Sequence, residues 1–176
     1  KADVDFSDVA TINQAGCAVL NGYKLFRSTE ALRMSVPQRV FTMTEQGAGK
    51  VYAGKYAANS QVMMNLGDPA LDFTLLGIEP SGAISEIIRD RAAFAAMPKQ
   101  GYPIQDLGND KYQLSIDLDH EGWSGLILVT GKGPFEKAIT EPPLGARGAD
   151  WVSKLAEASA AGGWKSEMLW FKSVRR

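Results

Sequence analysis

The chain has 176 residues, of which 45% are hydrophobic and 22% are charged. This length suits one domain with a substantial core, and the composition excludes a disordered or fibrous protein. The 19 basic and 20 acidic residues nearly cancel, and the longest basic block is the terminal Arg175-Arg176, so nucleic acid is not an expected partner. No apolar run approaches the ~18 residues of a transmembrane helix, and the first residues lack the charged-then-apolar pattern of a signal peptide.

The first residue and the cysteine content are relevant to the parent protein and to its cellular compartment. The sequence begins with Lys1 rather than methionine, which predicts that this single domain, residues 1–176, is a fragment or processed part of a larger protein. Cys17 is the only cysteine, so an intrachain disulfide is excluded. The cysteine content leaves a periplasmic and a cytoplasmic location both open.

The first half of the chain favours strands. Between Asp5 and Gly22 the apolar spacing is compatible with a helix, or with a short buried strand over Cys17 to Leu20. Alternation of side chains then predicts strands over residues 39–45, 51–56 and 60–66.

A hairpin is predicted next. Its strands run from Leu71 to Ile78 and from Ala83 to Ile88, joined by the turn sequence Glu79-Pro80-Ser81-Gly82. Period-two alternation places Ile84 and Ile88 on the same face of the return strand.

The stretch after this hairpin has weaker patterns. Residues 91–97 favour a short helix that Pro98 ends. Gly101 and Pro103 predict irregular structure up to a turn at Gly108-Asn109-Asp110.

The clearest strand signal lies between Tyr112 and Phe135. Tyr112 to Leu118 alternates between apolar and polar residues, which is typical of a half-buried strand. Trp123 to Val129 is apolar on both faces apart from Ser124, as in a strand that is covered on both sides. We expect the two strands to form a hairpin near the middle of the core.

The C-terminal region predicts a helix and a strand. The helix covers residues 149–161, with Asp150 as its N-cap and Gly162-Gly163 as its stop, and the strand covers residues 164–174. The expected fold is therefore mainly β, an antiparallel β-sandwich with one C-terminal helix.

Cys17 and His120 are the one pair that could support nucleophilic catalysis, because an imidazole base can generate a thiolate. Their order, and the glutamine and glycine just before the thiol, loosely resemble papain-like peptidases. However, Ala18 stands where that family has an aromatic residue, and no third orienting group is identified. The alternative is a cysteine buried as a small hydrophobe and a histidine exposed in a loop.

The loop between the last two hairpin strands is the candidate contact site. It contains Asp119, His120 and Glu121, and Trp123 follows. The spacing matches no calcium loop, so we expect a solvated turn without a metal ion, and no cofactor is indicated. Gly131-Lys132-Gly133-Pro134 lacks the length of a phosphate-binding loop and is predicted to be a turn that ends a strand.

Four tryptophans leave a carbohydrate-binding sandwich open as a further alternative. Exposed coplanar indoles could stack on sugar rings, although tryptophans at strand and helix positions more often lie in the core. The residues concerned are Trp123, Trp151, Trp164 and Trp170.

Residues 60–135 resemble a known bacterial family. Its pattern has an aromatic residue early in an apolar strand, a turn glycine and a return strand, then an extended strand, a glycine, a long apolar strand and a proline. The matching positions are Phe73, Gly82, Ile84 to Ile88, Tyr112 to Leu118, Gly122, Leu126 to Val129 and Pro134. The chain thus resembles the uncharacterised β-rich domain appended C-terminally to bacterial caspase-like peptidases and serine/threonine kinases.

The resemblance implies an accessory module rather than a set of functional residues. The expected function is a non-catalytic sensing or interaction domain of a larger bacterial protein. The expected partners are other domains of that parent or a separate protein. A papain-like cysteine hydrolase that uses Cys17 and His120 is the alternative.

Overall fold

The computed structural model describes residues 13–36, 39–43, 45–46, 51–52, 61–101, 103–115 and 122–175. These residues are mainly β, as the sequence predicts. They form four helices, which are α1 (Gln14–Lys24), α2 (Arg91–Ala96), α3 (Lys137–Thr140) and α4 (Ala149–Gly162). The strands are β1 (Met34–Ser35), β2 (Val40–Met43), β3 (Glu45–Gln46), β4 (Val51–Tyr52), β5 (Gln61–Asn65), β6 (Asp72–Ile78), β7 (Ile84–Ile88), β8 (Ile104–Gly108), β9 (Lys111–Ser115), β10 (Gly122–Gly131) and β11 (Lys165–Arg175). None of the described helices is long and apolar enough to cross a membrane.

Two sheets make up most of the described part of the fold, and β3 and β4 pair with each other in a small separate ribbon. The larger sheet has five strands in the order β2-β11-β10-β6-β7. Its pairs are antiparallel except for β2 and β11, which run parallel. The smaller sheet has four antiparallel strands in the order β1-β5-β9-β8. Strands β7 and β8 therefore each lie at an edge.

The first core lies between the two sheets. Leu126 and Leu128 of β10 reach it from the larger sheet, and Val62 and Leu114 reach it from the smaller one. Phe94 of α2 joins the same cluster and stacks edge-on against Phe73, with 5.3 Å between the ring centroids. Burial of this apolar surface is the main force that holds the two sheets together.

The second core lies on the opposite face of the larger sheet, where helices cover it. Ile127 and Val129 of β10 contact a cluster that includes Leu155 of α4 and Tyr23 of α1. The two helices approach closely at Gly22, where an added Cβ atom would stand 2.8 Å from the Trp151 ring. The predicted double burial of the strand at Trp123 to Val129 is thus correct from Gly125 to Val129, because β10 is the central strand of a sheet with a core on each face, whereas Trp123 and Ser124 are half-buried.

The hairpin predicted between Tyr112 and Phe135 is wrong. Strand β9 pairs with β5 and β8 in the smaller sheet, whereas β10 pairs with β6 and β11 in the larger one. Sequence adjacency suggested pairing, but the two burial patterns belong to different layers. Strand β9 buries Leu114 against the core, which gives it a period of two, while β10 is buried on both faces.

The partner of β9 is a strand that the sequence pattern missed. Residues after Pro103 were expected to be irregular, but Ile104–Gly108 is β8, and it forms a tight hairpin with β9. The connecting residues Asn109 and Asp110 have φ values of 54° and 58°. Such a left-handed pair is the turn type that matches strand twist, and asparagine and aspartate tolerate it.

The predicted hairpin of β6 and β7 is confirmed, but its faces are not. A β-bulge shifts the register so that Leu76 pairs with Glu86 and Leu75 with Ile88. The bulge adds one residue to β7, so Ile88 joins the core between the sheets while Ile84 packs on the helical side. The prediction that Ile84 and Ile88 share a face is therefore wrong.

The helices also differ from the prediction. The open choice near Cys17 resolves as helix α1, whose Asn13 side chain accepts a hydrogen bond from the Gly16 N–H. Helix α4 ends at Gly163 in the left-handed conformation, as predicted, but its N-cap is Gly148 rather than Asp150. Since the described residues contain four helices, a single C-terminal helix does not describe the fold.

Candidate functional site

An apolar groove of about 380 Å³ opens between the two sheets. Ile87 of edge strand β7 and Ile104 of edge strand β8 lie on its two sides. Its volume lies within the range of small-ligand pockets, roughly 300–1,000 Å³. The groove is therefore large enough to hold a ligand, and it opens at the side where both sheets end.

Small residues on the larger sheet create this space. On the face towards the smaller sheet, Gly77 of β6 stands between Leu126 of β10 and Ser85 of β7. Two residues further along β10, the next cross-strand row on the same face consists of Leu128, Leu75 and Ile88. Because the side chains shrink from leucine and isoleucine to glycine and serine, the two sheets leave a gap there.

The other wall belongs to the smaller sheet. Val62, Leu114 and Ile104 form one cross-strand row, and all three side chains are buried. Met97, which follows α2, and Pro103 complete this side of the rim. The walls are apolar, so a ligand held here would be stabilised mainly by removal of apolar surface from water.

The bulge in β7 gives the rim its apolar character. The extra residue places Ile87 and Ile88 next to each other on the groove side. Ile88 is buried, but Ile87 is 40% exposed. An isoleucine with this exposure at the mouth of an apolar groove has unsatisfied apolar surface that a ligand could cover.

Polar groups at the mouth could orient a ligand. The hydroxyl-bearing residues Ser85, Ser115 and Ser124 line it, together with Glu79. Glu79 is the only charged residue among the described lining residues, and it is exposed. The groove therefore combines an apolar interior with a few hydrogen-bonding groups and a negative charge at its rim.

The predicted thiol lies elsewhere. Cys17 lies on α1, which packs on the helical side of the larger sheet through Val19, Leu20 and Tyr23. Its side chain is exposed, so the alternative reading as a buried small hydrophobe is wrong. The reason is that the apolar stripe of α1 falls on the neighbouring positions and leaves Cys17 on the solvent side.

Of the predicted contact site, the structure describes Trp123. Asp119, His120 and Glu121 lie outside the described residues, so the pairing of Cys17 with His120 stays a prediction. Trp123 is half-buried at the start of β10, with the Lys172 ammonium 5.8 Å from its ring centroid. Its indole nitrogen is buried without a hydrogen-bond partner among the described residues.

Two of the other tryptophans have structural roles. Trp151 and Trp164 are buried, and their indole N–H groups donate to the carbonyls of Ile139 and Lys132 at 2.7 and 2.9 Å. They are therefore core residues and are not available as a flat sugar-stacking surface. Trp170 is partly buried against the same helical-side cluster.

Two carboxyl groups have raised pKa values for structural reasons. Burial raises the pKa of Glu167, whose carboxylate accepts hydrogen bonds from the backbone N–H groups of Arg33 and Met34. Burial, followed by the charge of Glu86, raises the pKa of Glu141. Neither residue lines the groove, and the described residues contain no cluster of three or more acidic, histidine or cysteine side chains placed to hold a metal ion.

Sequence reasoning missed the groove, although a weak signal existed. Gly77 interrupts an otherwise apolar run in β6, and Ser124 interrupts the one in β10. A glycine inside a strand often marks a close approach or a space for a ligand. What the sequence could not supply was the register that brings these small residues together at one end of the sheet.

Comparison with protein-family models and with curated proteins finds no match for this chain. The resemblance to the domain appended to bacterial caspase-like peptidases and kinases therefore stays a hypothesis. The geometry of the groove is the main evidence for a function.

Proposed function

We propose that the chain is a non-catalytic sensing or interaction domain of a larger bacterial protein, and that it binds its partner through the groove between the two sheets. The observation that carries this proposal is the pairing of an open apolar groove with an exposed isoleucine at its rim. The fold that presents it is a β-sandwich in outline, with helices on one outer face.

The location of the groove supports binding rather than an incidental packing defect. A core cavity left by imperfect packing costs stability, because its lining atoms lose contacts. Here the cavity opens to solvent, and its lining includes Glu79, Ser85 and Ser115 at the mouth. A few polar groups around an apolar interior are the usual composition of a ligand site.

The experiment is a titration with the apolar fluorescent dye 1-anilinonaphthalene-8-sulfonate. Wild-type protein should bind it saturably, near one dye per chain, under conditions where the protein is fully folded. Gly77→Leu should bind at least about tenfold more weakly, because the new side chain fills the groove. Ser153→Leu adds the same side chain on the exposed face of α4, and it should bind as the wild type does.

Equal dye binding by all three proteins would overturn the proposal, because the dye would then be binding elsewhere. Saturable binding that only Gly77→Leu loses would support it. Thermal melts of the three proteins, recorded in parallel, distinguish a filled groove from a damaged fold.

A cysteine hydrolase is the second candidate, and the exposure of Cys17 favours it. It requires that the thiol reacts rapidly with iodoacetamide at neutral pH and that peptide or ester hydrolysis disappears in both Cys17→Ala and His120→Ala. Hydrolysis that both substitutions abolish would replace the proposal of a non-catalytic domain. Hydrolysis that survives both would point to a contaminating enzyme.

A further inference from the structure

Strand β7 has an open outer edge in the part of the chain that the structure describes. It lies at the end of the larger sheet, and its one described partner strand is β6. Among the described residues, no backbone hydrogen bond reaches the outer side of Ile84–Ile88. An edge of this kind is a template for another extended chain, because its outward-pointing N–H and C=O groups can continue the ladder with alternate residues of the added strand.

The other edge beside the groove is partly occupied. The Asp106 N–H of β8, which points away from β9, donates to the Lys99 carbonyl at 3.2 Å. The segment after α2 therefore covers part of the β8 side. Of the two edges, β7 is the one on which a chain can add.

We propose that the groove binds an extended peptide that adds as a strand to β7 and inserts alternate apolar side chains between the two sheets. This inference rests on the proposed function and names the class of partner. Strand addition uses both the apolar space of the groove and the open backbone edge of β7 beside it.

The volume of the groove limits how many side chains it holds. A cavity of ~150 Å³, of the size left by removing one leucine side chain, accommodates benzene. The groove has about 380 Å³, so it takes roughly two medium apolar side chains. Alternate residues of a strand point the same way and lie about 6.8 Å apart, so residues i and i+2 of one peptide can both enter.

The length of β7 and the charge at the rim narrow the peptide further. Ile84–Glu86, before the bulge, form the regular part of the β7 edge and span about 10 Å, so about three peptide residues can pair along it without interruption. Glu79 lies beyond the Ile84 end of the strand, because Ile78 pairs with Ile84. A basic residue flanking the apolar pair at that end would complement this charge, and an acidic one would be repelled.

The test begins with random decapeptides displayed on phage and selected on wild-type protein, with Gly77→Leu protein for counter-selection. The enriched peptides should have apolar residues at positions i and i+2. A synthetic copy of the best peptide should bind Gly77→Leu and Ile87→Ser at least about tenfold more weakly, and Ser153→Leu as the wild type does. Ile87 is 40% exposed, so its substitution leaves the core intact.

Backbone methylation separates strand addition from simple apolar binding. Methyl groups on alternate backbone nitrogens of one edge of the peptide remove its ladder hydrogen bonds without changing its side chains. The methylated peptide should lose at least about tenfold in affinity, and methylation of the other edge should have little effect.

Three results would overturn the inference. These are a lack of enrichment, enriched peptides with apolar residues at helical spacing, and equal affinity of both methylated forms. If the dye still binds saturably in the groove while these tests fail, the proposed function stands, and only the inference that the partner is an extended peptide is wrong. If dye and peptide both fail to bind, the proposed function fails with it.

Discussion

Gly77→Leu should raise the free energy of unfolding of the protein and should also weaken the binding of ligands in the groove. A glycine inside a strand costs roughly 0.5–1 kcal/mol relative to alanine, because it loses more backbone freedom on folding. A leucine side chain that becomes fully buried contributes about 1.5–3 kcal/mol, and the open side of the groove reduces this to about half.

The local geometry permits this substitution. Gly77 does not have a positive φ, so its backbone conformation does not require glycine. An added Cβ atom would stand 2.9 Å from the Ser85 hydroxyl oxygen, which is the free end of a short side chain on an edge strand and can rotate away. The next nearest atom, Ile87 Cδ1, would lie at an ordinary contact distance of 3.5 Å, so the rest of the leucine side chain can enter the groove beside it.

The expected net gain is about 1–2 kcal/mol in the free energy of unfolding. For a chain of this size, that corresponds to a rise of roughly 2–8 °C in the melting temperature. Urea denaturation monitored by tryptophan fluorescence gives the free energy, and calorimetry gives the melting temperature. Destabilisation by more than about 1 kcal/mol would refute the reasoning, because it would mean that the groove is not an accessible space beside Gly77.

Three further substitutions test the framework that presents the groove. Arg147→Ala should cost about 2–4 kcal/mol, because its guanidinium donates to backbone carbonyls of three separate segments that would lose their partner. Gly163→Ala should cost about 1 kcal/mol, since Gly163 ends α4 with φ of 60°, whereas Gly148→Ala at the other end should be nearly neutral. Glu141→Gln should stabilise the protein at neutral pH, with little effect below pH 4.5.

The pH dependence of Glu141→Gln follows from the direction of its pKa shift. Burial and the charge of Glu86 raise the folded-state pKa of Glu141 above its ordinary value of 4.5. The wild type therefore loses stability as the pH rises from that value through the folded-state pKa, and the glutamine variant does not. A gain that is the same at pH 3 and pH 7 would contradict this explanation.

Urea denaturation, which measures the free energy of unfolding, also tests the predictions for Arg147 and Gly163. If Arg147→Ala costs no more than an exposed substitution such as Lys24→Ala, then the carbonyls it contacts have other partners. If Gly163→Ala and Gly148→Ala have equal effects, the left-handed cap does not determine the cost.

The sequence predicted individual elements better than their assembly. Strands β5, β6, β7 and β11 and helices α2 and α4 follow from local alternation, helical periodicity and turn residues. The pairing of β9 with β8 rather than with β10 did not follow from the sequence. The apolar pattern of β10 indicates that both of its faces are buried, but it does not indicate which strands pair with it. The predicted Gly108-Asn109-Asp110 turn was the overlooked signal for the hairpin of β8 and β9.

The site was less predictable, and the reason is geometric. The reactive side chains of Cys17 and His120 suggested a site at those residues. The groove instead exists because the residues that line part of it have small side chains. Gly77 and Ser85 leave space only because the register places them beside each other at the open end of the sheet. The bulge that turns Ile88 inwards and leaves Ile87 at the rim has no local sequence signature.

Hydrogen–deuterium exchange of β7 with and without the selected peptide tests the central claim most directly. If a strand adds at this edge, the backbone amides on the outer side of Ile84–Ile88 should exchange more slowly when the peptide is bound. Gly77→Leu protein, which has no room for the apolar side chains, should show no such protection at the same peptide concentration. Protection on helix α1 or at the β8 edge, with β7 unchanged, would contradict the account.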